Sequence, residues 1–343
     1  MSEGKNLNFV EQQRMNRRKS RFVVLMFVLF FAWIGFGGDL AFYLITVESP
    51  PGAYRHQIPF IGIGAVLIAL VTAKYAWVTG AKKVLWATGA WEIIAPKRQE
   101  EKVFLNVVEE MAIASGLPRP TVWIVPDKDP NAFATGTEEN KAHVAVTEGL
   151  LDLLNRDELQ AVVAHEMAHI KNHDVKLMTL LAALIGVIAL MSDAAWRTLR
   201  VGGRAGSGRR GGGKKGGGGL GVIILALWLI SLLIAPLLSR ILAMSVSRKR
   251  ELLADASGVQ FTRNPMALAQ ALRKIEDAHL PTTAMGRGSA HLCIADPLGR
   301  RLTHKQGFLA DLFATHPPMQ VRISRLKAMA FKYEKTGVLS TDV

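Results

Sequence analysis

Cysteine is nearly missing: the 343 residues contain one, Cys293. That excludes an intrachain disulfide framework and any zinc site built on thiolates, and it fits a reducing compartment. Acid is also scarce, with 28 Asp and Glu against 42 Lys and Arg, a net charge of +14 and a pI near 10.0. Such a surplus points to an anionic partner. Nucleic acid is disfavoured, because the most basic stretch, residues 197–219, has seven basic residues but no aromatic ring to stack on a base. Anionic lipid fits better in a chain with membrane spans. The remaining composition agrees, since 50% of residues are apolar, mean hydropathy is +0.21 and 20% are still charged. Polar domains interrupted by apolar segments account for that mixture better than one soluble core.

Four stretches have the composition of spans: 22–38, continuing past Asp39 to 47; 58–73; 177–191; and 220–238. A crossing helix needs about 20 apolar residues, which the third stretch does not reach. No small-x-small cleavage site follows the first, so it reads as an anchor rather than a removed signal peptide. Basic residues set the orientation. Lys5, Arg14, Arg17, Arg18, Lys19 and Arg21 precede the first stretch, Arg55 stands alone after it, and Lys74, Lys82 and Lys83 follow the second. The N-terminus is therefore expected in the cytosol, together with residues from about 80 to 174. The Gly-rich tether 197–219 conflicts with that pattern. If the flanking stretches both cross, its charges lie outside. Crossing is the working expectation, and a hairpin that dips in and returns stays open.

The chemistry sits in AHEMAHIKNHD, 164–174. His165 and His169 are four apart, so on a helix both imidazoles reach one ion. The helix has a start signal, Asn155 with Glu158 three residues on, as in a capping box. A catalytic zinc takes three protein ligands and keeps one position for water. His173 lies two turns from His165, about 12 Å along the axis, so one ion cannot hold both. The metzincin pattern needs Gly and His where Asn172 and Val175 stand. The remaining option is a carboxylate on a separate helix: Glu251 as ligand, with Asp255 accepting the second N–H of a ligand imidazole. Glu166, beside a ligand but not itself one, is placed to take the proton of a zinc-acidified water. A membrane scaffold with structural zinc is the rival from another class, but such a site needs no base and closes with a fourth ligand.

Read together, NAFATG (131–136), VAVTEGLL (144–151), ELQAVVAHEMAHIKNHD (158–174), SRKRELLAD (247–255) and THPPMQVRISRL (315–326) resemble the HtpX-type membrane metallopeptidases, relatives of the CAAX prenyl-protease. The resemblance covers nearly the whole chain. It implies one Zn2+ per chain held by His165, His169 and Glu251, with Glu166 as catalytic base. It further implies that His316 hydrogen-bonds the tetrahedral oxyanion and that Arg322 supports the site, while a purely structural His316 stays open. Residues 121–125 and 142–146 read as short strands with 131–136 as a third. Asn131, Ala132, Phe133 and Ala134 then form an edge that pairs with extended substrate, or an ordinary hairpin. His56, His143, His279, His291 and His304 receive no role.

The expected fold is a mainly α membrane protein: four hydrophobic helices plus a cytosolic α+β peptidase domain of gluzincin type with a small antiparallel sheet. Along the chain this gives a basic N-terminus (1–21), two transmembrane helices (22–78), the first part of the peptidase domain (79–175), a third hydrophobic segment (176–196), the tether (197–219), a fourth segment (220–240) and the second part of the domain (241–343). The resemblance implies a multi-pass bacterial inner-membrane protease with a cytoplasmic active site. Its expected substrates are damaged membrane proteins or unfolded polypeptides under envelope stress, and a homo-oligomer is among the expectations.

Overall fold

The structure is a computed structural model that describes residues 9–47, 50, 52–181, 184, 248–278, 292–295 and 317–336. The tether, most of the third apolar stretch, the fourth and His316 lie outside these residues. The chain divides into two compact units. One comprises Met1–Ser20, Val78–Ala183 and Ala243–Val343, and the other Arg21–Trp77 and Leu184–Leu242.

Two long helices dominate the N-terminal part, α1 (Phe9–Thr46) and α2 (Phe60–Ala87). Both are long and apolar enough to cross a membrane. At 38 residues α1 extends about 57 Å, well beyond a hydrocarbon core, so its basic start is helical too. Helix α2 likewise runs past the expected 58–73 and takes in Lys74, Lys82 and Lys83. In the second unit these helices pack closely. A Cβ on Gly62 would run into the Phe36 ring, and one on Gly35 would fall 2.7 Å from Ala65. Asp39, the charge inside the first stretch, is buried and capped. It accepts from the backbone N–H groups of Ile61 and Gly62 at 3.1 and 2.6 Å and from His56 at 2.6 Å. It thus satisfies orphan donors at the start of α2, which gives His56 a structural task.

The first unit is built around α5 (Arg156–Lys171). Its N-terminus carries the expected capping box: Asn155 accepts from the Glu158 N–H and Glu158 from the Asn155 N–H, both at 2.9 Å. Glu158 also accepts from Lys274 at 2.7 Å. Helix α5 is buried nearly all round rather than along one face. It packs against α3 (Gln99–Ser115), α6 (Arg248–Thr262), α7 (Pro265–Asp277) and the strand Ala132–Thr135. Phe104, Val108, Val162, Met167, Leu272 and Leu326 lie in the shared core. The last of these comes from α8 (Met319–Thr336). A short α4 (Glu148–Leu153) leads into α5.

The sheet differs from expectation. Strands β1 (Trp91–Glu92), β2 (Thr121–Val125), β3 (Ala132–Thr135) and β4 (His143–Thr147) lie in the order β1-β2-β4-β3. β2 and β4 are parallel and the other pairs antiparallel, so the sheet is mixed rather than antiparallel. The cause lies at Thr147. Its hydroxyl donates to Asp129 C=O at 2.8 Å and accepts from the Asn131 N–H at 2.9 Å, tying the β2–β3 loop across the end of β4. The loop therefore passes over β4, which takes the interior place between β2 and β3. β3 is left at the edge.

Candidate metal centre

Helix α5 places His165 and His169 on one face near its C-terminal end, where the helix dipole favours a cation. Glu251 comes from the first turn of α6, which lies close against α5 at Gly258. A Cβ there would sit 3.0 Å from the His165 backbone nitrogen. One ligand atom from each of His165, His169 and Glu251 falls within 4.8 Å of the others. The two Nε2 atoms are 3.2 Å apart, with Glu251 oxygens 3.7 and 3.6 Å from them. Tetrahedral zinc with Zn–N of about 2.0–2.1 Å separates its ligand atoms by about 3.3 Å, so the set fits that ion.

Carboxylates fix both rings. His165 Nδ1 lies 2.9 Å from Asp255, and His169 Nδ1 3.2 Å from Asp174. With those nitrogens donating, both Nε2 lone pairs face the shared space. Arg322 is fully buried and grips Asp255 with two bonds, at 2.9 and 2.7 Å. Four buried carboxylates (Glu166, Asp174, Glu251, Asp255) against two buried guanidiniums (Arg250, Arg322) leave a formal surplus of two negative charges, which a divalent cation balances. Burial opposes charge on His165, yet Asp255 and Glu251 outweigh it and push the imidazole up to about 9. Burial also opposes charge on Asp255, but Arg322 and His165 hold it down at about 2. Glu166 is raised above the ordinary carboxylate range by burial, although the ligand histidines and a hydrogen bond from the Ala134 N–H act the other way.

A cavity opens here, lined among others by Ala134, Glu166, His169, Glu251 and Cys293. Of the expected edge residues, Ala134 lines it. Asn131 and Ala132 are engaged by the chain itself: the Ile294 N–H donates to Ala132 C=O at 2.9 Å, and the Asn131 amide to Ala295 C=O at 2.9 Å. Phe133 is buried. Arg322 also donates to Ile294 C=O at 3.1 Å.

Residues 98–330 match the sequence pattern of the family described as Peptidase family M48. The chain belongs to peptidase family M48. A Protease HtpX homolog of Thermoanaerobacter pseudethanolicus is 41% identical over 266 residues, 78% of this chain and 85% of that protein. The Protease HtpX homolog of Dictyoglomus turgidum is 38% identical over 331 residues, 96% of this chain and 98% of that one. Among solved structures, S. mikatae Ste24p aligns with TM-score 0.44 and 17% identity, covering 90% of this chain and 66% of that chain. The M48 chain is thus a zinc metalloprotease similar to the HtpX homologs.

Sequence reasoning missed Asp174, Arg250 and the stretch 292–295. On an unbroken helix, Asp174 would point about 140° away from His169. His173 prevents this by taking a left-handed conformation (φ 56°), which ends the helix and turns Asp174 back. Its own ring lies 3.6 Å from Glu139. A histidine is only a weak signal for that conformation, which Gly and Asn favour more strongly.

Proposed function

We propose that this M48 chain is a membrane-integrated zinc endopeptidase that cleaves damaged or misassembled membrane proteins from the cytosolic face. The carrying observation is the convergence of His165, His169 and Glu251 beside a buried, unligating Glu166. His165, His169 and Glu251 would hold one zinc ion per chain, which would supply Lewis acidity toward a carbonyl and toward water. Glu166 takes the proton of the attacking water and returns it to the leaving amine. Asp255 and Asp174 hold the ligand rings, and Arg322 holds Asp255. An extended substrate lies along β3 on the Ala134 side, since the Asn131 end is taken by residues 294 and 295. The oxyanion role of His316 rests on family resemblance.

The cytosolic placement rests on the basic residues before the first span and after the second. Anionic lipid at that face is the partner the net charge favours. An inner-membrane location, an envelope-stress role and homo-oligomer formation belong to the same proposal. The test is cleavage of an unfolded membrane protein by full-length chain in vesicles. Glu166→Gln is expected to keep its zinc and lose on the order of 10²-fold or more in rate. Undiminished cleavage would show that another group moves the proton.

A further inference from the structure

Helix α1 begins well before its apolar run, and its early turns reach the metal centre. Asn16 is fully buried. Its Nδ2 donates to the C=O of Asn172, the residue that closes α5, at 3.0 Å, and to Asp174 Oδ1 at 2.7 Å. The other oxygen of Asp174 accepts from His169 Nδ1 at 3.2 Å. Arg250 approaches the same Oδ1 only at 3.4 Å, so Asn16 is the closer partner. The amide oxygen of Asn16 is buried and has no hydrogen-bond partner among the described residues. Leucine would fill a similar volume without that penalty, and what the amide supplies instead is a pair of donors, one to Asn172 C=O and the shorter one to Asp174.

We propose that Asn16 is a positioning residue for the metal ligand His169, acting through Asp174, so that the N-terminal helix is a working part of the metal centre. Asn16 fixes the carboxylate plane, the carboxylate fixes the imidazole tautomer and tilt, and Nε2 stays aimed at the space shared with His165 and Glu251. This rests on the metal reading of that cluster.

The test is zinc affinity of the purified full-length chain in detergent, read by competition with a fluorescent chelator. The set is parent, Asn16→Leu, Asp174→Ala, the double variant and His169→Ala, with melting of each zinc-free form as a folding control. Asn16→Leu is expected to weaken zinc about tenfold with zinc-free melting preserved, and Asp174→Ala by about 10–100-fold. The double variant should match Asp174→Ala, because one residue acts through the other. Asn16→Ser replaces Asn16→Leu if the latter does not fold, with the same non-additivity expected. Affinity within about twofold of the parent, or losses that multiply in the double variant, would overturn the proposal. Parent-like affinity in His169→Ala would instead overturn the metal reading itself.

Discussion

Arg322 shows how a single residue governs the centre. Its guanidinium lies fully buried between Asp255, the Ile294 carbonyl and, at 3.8 Å, Glu251. Arg322→Ala strands those carboxylates without their counter-charge. Denaturant unfolding of zinc-free protein in detergent should show a loss of about 3–5 kcal/mol. A loss below about 1 kcal/mol would place the contact with ordinary surface pairs. His143, which the sequence leaves without a role, makes a second prediction. Trp123 Nε1 donates to Thr121 Oγ1 at 2.8 Å, and that hydroxyl meets His143 Nδ1, an arrangement that suits a neutral ring. Burial and the Lys82 charge lower its pKa from 6.5 to about 4. The unfolded chain takes up this proton as pH falls through 6.5, and the folded chain only near 4. The contribution to stability is therefore full above the first value and shrinks between the two. From about pH 7.5 to about pH 5 the parent should lose about 2 kcal/mol more stability than His143→Asn. Parallel pH profiles of the two proteins would contradict this.

Among the elements, the approach of α6 to α5 decides whether the third ligand arrives. Gly258→Ala adds a Cβ 3.0 Å from the His165 backbone, which cannot yield as a side-chain tip would. A stability loss of about 1–3 kcal/mol together with weaker zinc binding is expected, by unfolding and chelator competition. Unchanged affinity would mean that Glu251 reaches the ion without this contact. The capping box of α5 was legible from Asn155 and Glu158 because caps are local chemistry. The ligand pair was legible from helical spacing, and Glu251 with Asp255 from a second helix bearing carboxylates one turn apart. The rest depends on contacts distant in sequence. Asp174 meets His169 only because His173 turns left-handed. The mixed sheet depends on Thr147 tying down a loop, and short strands do not announce their partners. Asn16 reads as one polar residue in a basic stretch, yet it lies more than 150 positions from the aspartate it serves.

For the whole molecule, the N-terminal helices and the peptidase part are made for different solvents. Along α1 the large residues Phe22, Leu25, Leu29, Trp33, Phe36 and Leu40 recur at helical spacing and are all exposed. That continuous apolar face suits hydrocarbon and would aggregate in water. How the chain returns between α5 and α6 is a question of topology. In a Cys293→Ser background, a cysteine placed at Ser207 should react with an impermeant maleimide added outside. Protection there, with labelling after permeabilisation, would favour a dipping hairpin. The metal centre itself is assembled from ligands on either side of the third and fourth apolar stretches and the Gly-rich tether. Zinc content of the purified full-length chain tests it most directly. One zinc per chain is expected in the parent and in Glu166→Gln, and close to none in Glu251→Ala. A Glu251→Ala protein that keeps one zinc per chain with parental affinity would contradict it.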